Sequence, residues 1–319
     1  MSLIVMPPDP IQAIVAAFDR VNLVALGERH WALEDAQFRL QLIRGHGFAQ
    51  TVDDIVIEFA SPLHQALLSR FVDGEDVPAV ALHAIWQDTS QPGAWDSPVY
   101  EDFLGAVRAA NLELPAGQRL RVLAGDCPID WGAVSGPAHL PDPGERDRFA
   151  ADVIRREVLA RGRRALVIFG AAHIYRGRPG TLTDLLQHDS RAKWFVAVPA
   201  GGPGLPAPLA AIPAAPGAPA LIGLNGGLGD LAAADVLERG TRRLKLLAEG
   251  KPALEDGKPV FMPVFERGVT VRQMADALLF FGCSPVESVP PPPGLYDGEY
   301  GREVLRRREI QAARCGITL

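Results

Sequence analysis

Six short apolar runs punctuate the chain, at residues 21–26 (VNLVAL), 54–57 (DIVI), 120–123 (LRVL), 165–169 (ALVIF), 194–198 (WFVAV) and 275–281 (ADALLFF). They are near-continuous rather than alternating, which predicts strands buried on both faces, as in a parallel sheet. Helical spacing of apolar positions lies between them. Residues 11–20 form one such segment and 34–43 (EDAQFRLQLI) a second, with its acids in the first turn. Residues 144–161 predict one long helix, with Glu and Asp early, Arg late and Gly162 as its stop. Alternating strands and helices predict an α/β fold with a mostly parallel central sheet flanked by helices.

Residues 61–117 separate two predicted strands by more than one crossover helix and carry Trp86, Trp95, Tyr100 and Phe103. This reads as a helical insertion that either covers a ligand site or packs as extra helices on the sheet. Residues 200–220 are rich in Pro, Ala and Gly and predict a loop. Pro290–Pro293 predicts a short polyproline II stretch ahead of a basic helix over 302–314. With 319 residues, the expected organisation is an α/β core over 1–199 with its insertion, the loop 200–220, and completion of the same domain by 221–319.

Composition narrows the function. The chain is 48% hydrophobic and 22% charged, enough apolar material for a large core. Thirty-two basic against 38 acidic residues leave a net charge of -6, which argues against a general nucleic-acid-binding surface. The basic C-terminal helix therefore reads as a packing element. Cys127, Cys283 and Cys315 are too few and too scattered for a disulfide scaffold or a CxxC zinc site. No run of about 18 apolar residues predicts a membrane span. The N-terminal MSLIVMPPDP lacks the charge and long apolar stretch of a leader, so a cytoplasmic location is expected.

The chemistry collects where strands end. The first strand runs into Gly27-Glu28-Arg29-His30, the second into Glu58, the third into Gly125-Asp126 and the fourth into Gly170-Ala171-Ala172-His173. Ligands bind outside the carboxyl ends of parallel strands. Any one of these residues has an ordinary structural reading as a cap, a turn residue or a satisfied histidine. Four ionisable strand ends on one edge point instead to a site. Glu28 and His30, two apart, face the same side if the backbone stays extended. A His beside a carboxylate can act as a general base on water. Two His with carboxylates can equally ligate a divalent metal. HExxH, GxSxG and GxxxxGK[ST] are all absent, and the glycine loop at 223–229 (GLNGGLG), with no Lys, reads as a turn. Cys127 reads as a small semi-buried residue rather than a nucleophile, and Asp130 and Trp131 as candidate pocket wall.

The order GERH, a helix, Glu58, the helix-opening pair Arg146-Asp147 and GAAH resembles the erythromycin-esterase, ChaN and Tiki superfamily over about residues 21–176. The GExH spacing is closer to the ChaN-like branch, since erythromycin esterases usually have one residue more. The resemblance implies three activities: metal-free hydrolysis by a His-activated water, metal-dependent proteolysis, or haem binding. Carried over, Glu28, His30, Glu58 and His173 are catalytic, or metal ligands if a metal is present. Asp126, Arg146, Asp147 and Arg176 are expected to bind substrate. The leading expectation is a hydrolase acting on an ester, lactone or amide of a small molecule or peptide. The alternatives are a divalent-metal peptidase and a haem- or iron-binding protein with His30 or His173 as axial ligand and the aromatics around 86–103 as a wall.

Overall fold

The computed structural model describes residues 9–142, 144–214, 218–237 and 265–316, together with the backbone of short strands between them. The strands are β1 (Leu23–Glu28), β2 (Asp54–Ile57), β3 (Arg121–Ala124), β4 (Ala165–Gly170), β5 (Trp194–Ala200), β6 (Ala220–Gly223), two-residue β7 (Arg243–Leu244), β8 (Leu254–Glu255), β9 (Lys258–Pro259) and β10 (Phe261–Met262), and β11 (Ala277–Phe280). Seven of them form one sheet in the order β3-β2-β4-β1-β5-β11-β6. Every pairing in it is parallel except that of β6 with β11. The α/β architecture with a mostly parallel sheet is therefore the one expected. Strand β6 was not foreseen, because it emerges from the Pro/Ala/Gly-rich stretch; that stretch also carries a helical turn at Ala207–Ala210 with Leu209 fully buried.

Both faces of the sheet are covered, which explains the unbroken apolar runs. Val24, Leu26, Ile55, Ile57, Leu166, Ile168 and Leu279 point into one core. Their neighbours Leu23, Ala25, Val56, Val167, Phe169, Leu278 and Phe280 point into the other. Each apolar run is thus a period-two pattern with hydrophobic demand on both sides.

The first core is roofed by α1 (Pro10–Ala17), α2 (Leu33–Arg44) and the insertion. Asp9 caps α1, its carboxylate accepting from the Ile11 N–H at 2.9 Å, and Pro10 sits where a missing N–H costs nothing. After the short α3 (Phe48–Thr51), the insertion supplies α4 (Gln65–Val72), α5 (Ala79–Gln87) and α6 (Pro98–Leu112). Its aromatics are core: Trp95, Tyr100 and Phe103 are buried and pack around Phe59, just beyond the end of β2. Of the two readings open for the insertion, packing on the sheet is the one observed.

On the other face, α7 (Glu145–Val153) is shorter than the predicted 144–161 helix. It widens into a π-turn at Ile154–Val158, then a 3₁₀ turn at Leu159–Arg161, and stops at Gly162 with φ 62°. The widened turn keeps both Ile154 and Val158 fully buried against the sheet, a packing demand that helical spacing alone does not register. The C-terminal helix Glu299–Arg314 packs, as expected, through its arginines. Arg306 donates to the Val134 carbonyl at 2.9 Å and Arg307 to the Gln87 carbonyl at 2.8 Å.

Candidate active site

Register brings the strand ends together. Leu26, Ile168, Ile57 and Ala124 lie in one row across β1, β4, β2 and β3. The residues that follow place Glu28 beside Gly170, with Glu58 and Asp126 further along the same edge. The insertion of β4 between β1 and β2 makes this edge a topological switch point, where the chain leaves β1 in two directions.

Glu28 closes β1 with its side chain 1% exposed. It accepts from the Tyr100 hydroxyl at 3.1 Å, from the Arg39 guanidinium of α2, and from His30 Nδ1 at 2.7 Å. An ionised carboxylate can only accept, so the proton of this bond sits on Nδ1. Burial alone raises the Glu28 pKa, but Arg39 and His30 outweigh it and hold the carboxyl below its usual value. Burial lowers the His30 pKa, and the bond and charge of Glu28 more than reverse this, so the imidazole titrates above its usual value. Among the described residues, His30 Nε2 has no hydrogen-bond partner, and the ring is 44% exposed. Trp95 meets that ring edge-on at 4.7 Å.

Two backbone features fix this ring. Trp31, immediately after His30, has φ 65°, a left-handed conformation that costs a bulky residue of order 1–3 kcal/mol. It is held by its own Nε1–H, which donates to the Ala94 carbonyl at 2.7 Å, and by its carbonyl, which accepts from the Val289 N–H at 2.8 Å. Gly170 faces the ring: a Cβ there would lie 2.9 Å from His30 Cε1, 3.0 Å from Nε2 and 3.3 Å from Glu58 Oε2.

Glu58 is the hub of a second cluster. Its Oε2 accepts from the Gly170 N–H at 2.6 Å, and its Oε1 from Arg146 Nη2 at 2.5 Å. His173 Nε2 lies 3.3 Å from Oε1. Burial would raise the Glu58 pKa; His173, Arg146, His30 and the Gly170 N–H together bring it down to about 2. His173 is pinned between two acids, its Nδ1 2.8 Å from Asp147. Burial lowers its pKa, but the Glu58 charge and the Asp147 bond carry it above the usual value. Arg146 bridges to Asp126 through Nε at 3.0 Å, and Asp126 also accepts from the Ser90 N–H and from the Ser90 hydroxyl at 2.7 Å.

The structure thus brings Glu28, His30, Glu58, Asp126, Arg146, Asp147 and His173 into one edge cluster. Asp126 and Arg146, expected to bind substrate, sit within a buried ion network with Glu58. Arg176, also expected to bind substrate, lies apart from this cluster. Its guanidinium turns to the opposite edge, bonding Asp276 just before β11 and the carbonyl of Trp194 at the start of β5 at 2.9 Å. Trp131 and Asp130 do not line the cavity in front of His30: Trp131 donates to the Thr89 carbonyl and lies under Arg307, and Asp130 accepts from the Gly132 N–H. Cys127 is buried, and burial, followed by the Asp126 charge, pushes its thiol up to about 11. The sequence reading missed Arg39, Tyr100 and Ser90. A signal for Arg39 exists, since it interrupts the apolar stripe of α2; Tyr100 and Ser90 come from the insertion and carry none.

The expected metal set does not fit. The oxygens of Glu28 and Glu58 already face Arg39 and Arg146, which supply the positive charge that a divalent ion would bring. Among the described residues, no group of three or more His, Cys, Asp or Glu is arranged to hold a metal ion. For haem, the aromatics around 86–103 are core and provide no wall. The cavity in front of His30, about 470 Å³, is walled instead by Tyr175, Val236, Leu237, Phe265 and Val286.

No protein-family model and no curated protein matches the chain. Among solved structures, an erythromycin esterase, EreC, in its open conformation superposes with TM-score 0.51 at 12% identity, covering 87% of this chain and 94% of its own. A protein of Bacillus cereus gives TM-score 0.51 at 10% identity, covering 88% of this chain and 92% of its own. ChaN of Campylobacter jejuni, which binds haem cofacially, gives TM-score 0.42 at 15% identity, covering 59% and 85%. The switch-point topology and these two superpositions agree: this chain has the same fold as the erythromycin esterase EreC and the Bacillus cereus protein.

Proposed function

We propose that the protein is a hydrolase in which the Glu28–His30 dyad activates water at the carboxyl edge of the sheet. One observation carries this reading: the 2.7 Å bond from His30 Nδ1 to buried Glu28, with Nε2 on the wall of a cavity and, among the described residues, unpartnered. That is the arrangement of a general base whose tautomer is fixed by a carboxylate. His30 Nε2 takes a proton from water as its oxygen adds to the acyl carbon. The intermediate collapses, and the leaving alkoxide or amine takes the proton back from the imidazolium, yielding an alcohol or amine and a carboxylic acid whose own proton passes to bulk water, or to the amine, to leave the carboxylate. His173, whose pKa Glu58 and Asp147 raise, supplies positive charge toward the developing oxyanion in its protonated form. The bond cleaved is an ester, lactone or amide, and the substrate a small molecule or peptide that fits the cavity.

His30→Asn tests the assignment. The side chain is 44% exposed and Asn keeps a polar group there, so the variant is expected to keep its circular dichroism and its unfolding midpoint while turnover falls by about 10²- to 10⁴-fold. A variant that folds and retains its rate overturns it. A haemin titration separates the binding alternative: a Soret shift lost in His30→Asn, without turnover of any ester, would reassign the histidine as an axial ligand.

A further inference from the structure

Acyl hydrolysis calls for a hydrogen-bond donor where the carbonyl oxygen gathers charge. Most polar side chains on the wall of the cavity in front of His30 cannot serve. Glu28 only accepts, and it already holds Arg39 and Tyr100. Arg29 gives its Nε, at 3.0 Å, and its Nη2 to Asp35, and its Nη1 is enclosed. His173 can carry charge, but its Nδ1 lies 2.8 Å from Asp147 and its Nε2 3.3 Å from Glu58. His30 Nε2 must be an unprotonated acceptor to act as the base. Tyr175 is the polar side chain that remains on this wall. It lies just beyond the 3₁₀ turn Ala171–His173 that follows β4, and it is 5% exposed. The Thr181 and Thr183 hydroxyls fix its backbone, donating to its carbonyl at 2.9 and 3.0 Å, and its ring meets Phe265 edge-on at 5.1 Å. Its own hydroxyl has no hydrogen-bond partner among the described residues and is not enclosed. A buried phenol without a partner is costly, and on a cavity wall a ligand can supply the partner.

We propose that Tyr175 is a catalytic residue of this site: its hydroxyl donates to the acyl oxygen of the substrate and holds the oxyanion that forms as water adds to the acyl carbon. This rests on the hydrolase reading for the reaction, while the hydrogen bond to a carbonyl compound is read separately by binding. The hydroxyl keeps its own proton. The electron pair that it stabilises returns to the carbonyl when the intermediate collapses, and the proton held by His30 goes to the leaving group. Burial pushes the Tyr175 pKa above its usual value, against the charge of Arg178, so the donor stays intact throughout the range in which His30 becomes neutral.

Tyr175→Phe removes the oxygen alone. Because that oxygen bonds nothing among the described residues, the unfolding midpoint is expected to stay where it is. With para-nitrophenyl butyrate as the probe, kcat should fall about 10²- to 10³-fold with little change in KM, and the pH inflection set by His30 should persist. Calorimetric titration of the intact protein with trifluoromethyl butyl ketone, whose hydrate mimics the tetrahedral intermediate, should show binding that weakens about tenfold or more in Tyr175→Phe. A lowered midpoint would give the hydroxyl a structural role and overturn the inference. So would ketone binding that is absent, or equal in the two proteins. Turnover lost in His30→Asn but kept in Tyr175→Phe refutes Tyr175 and leaves the hydrolase standing. Ketone binding that depends on Tyr175, with no ester turned over, supports the hydrogen bond and refutes the hydrolase.

Discussion

At Gly170 a single missing methyl group sets the geometry of the site. Its N–H holds Glu58, and its empty side-chain position is occupied by the edge of His30. Gly170→Ala is expected to push the His30 ring off Glu28, costing about 1–3 kcal/mol of stability by overpacking and most of the activity. Unfolding midpoint and turnover of the same preparation check both halves, and a fully active Gly170→Ala would show that the ring has room to spare. His30 also predicts a pH profile. Because Glu28 raises the imidazole pKa, the neutral base form dominates only at higher pH, so kcat/KM should rise with pH and inflect above the usual 6.5. A profile flat from pH 6 to 9 would remove His30 as the base.

The elements that present these residues differ in how firmly they are held. Strands β1, β2 and β4 are central and buried on both faces, and they deliver Glu28, Glu58 and Gly170 from rigid backbone. Helix α7 enters through its first turn, with Arg146 tying it to Glu58 and Asp126. Breaking that tie exposes its cost. Glu58→Gln leaves Arg146 inside the fold with one anion fewer, and should destabilise the protein by about 3–5 kcal/mol, measured by urea unfolding at pH 7. A loss below about 1 kcal/mol would mean that Asp126 alone satisfies the guanidinium. The insertion acts through α6, whose Tyr100 hydroxyl reaches Glu28 across the first core. It supports the site from behind rather than closing over it.

For the whole molecule, the buried carboxylate hub links stability to acid. Glu58 has a folded pKa of about 2 against a usual 4.5. A depressed carboxylate contributes stability that is fully present above its unfolded pKa and is lost as pH falls through the folded value. The stability gap between the natural protein and Glu58→Gln should therefore be greatest between about pH 5 and 6.5, shrink below pH 4.5 and close near pH 2, and narrow again as pH rises through the His173 value that the Glu58 charge raises. Urea midpoints of the pair at several pH values read this directly, and a gap that does not narrow in acid would refute the ionised hub. Among the described residues, no helix is long and apolar enough to cross a membrane.

The sequence by itself determined the α/β class, because runs such as LVAL and ALVIF satisfy two cores at once only as strands covered on both faces. It also placed Glu28, His30, Glu58 and His173, because ionisable residues directly after buried strands must lie at the sheet edge. Tertiary structure alone decided strand order. Nothing local says that β4 enters between β1 and β2, yet that insertion makes Gly170 the neighbour of both His30 and Glu58. It alone decided that Arg39 and Tyr100 complete the dyad from 11 and 72 residues beyond Glu28. It alone turned Arg176, three residues past His173, to the far edge, where Asp276 pairs with it. Backbone pattern is written by hydrophobic burial, which each segment carries in its own composition. Charge pairing is written by proximity across the chain, and no segment carries that alone.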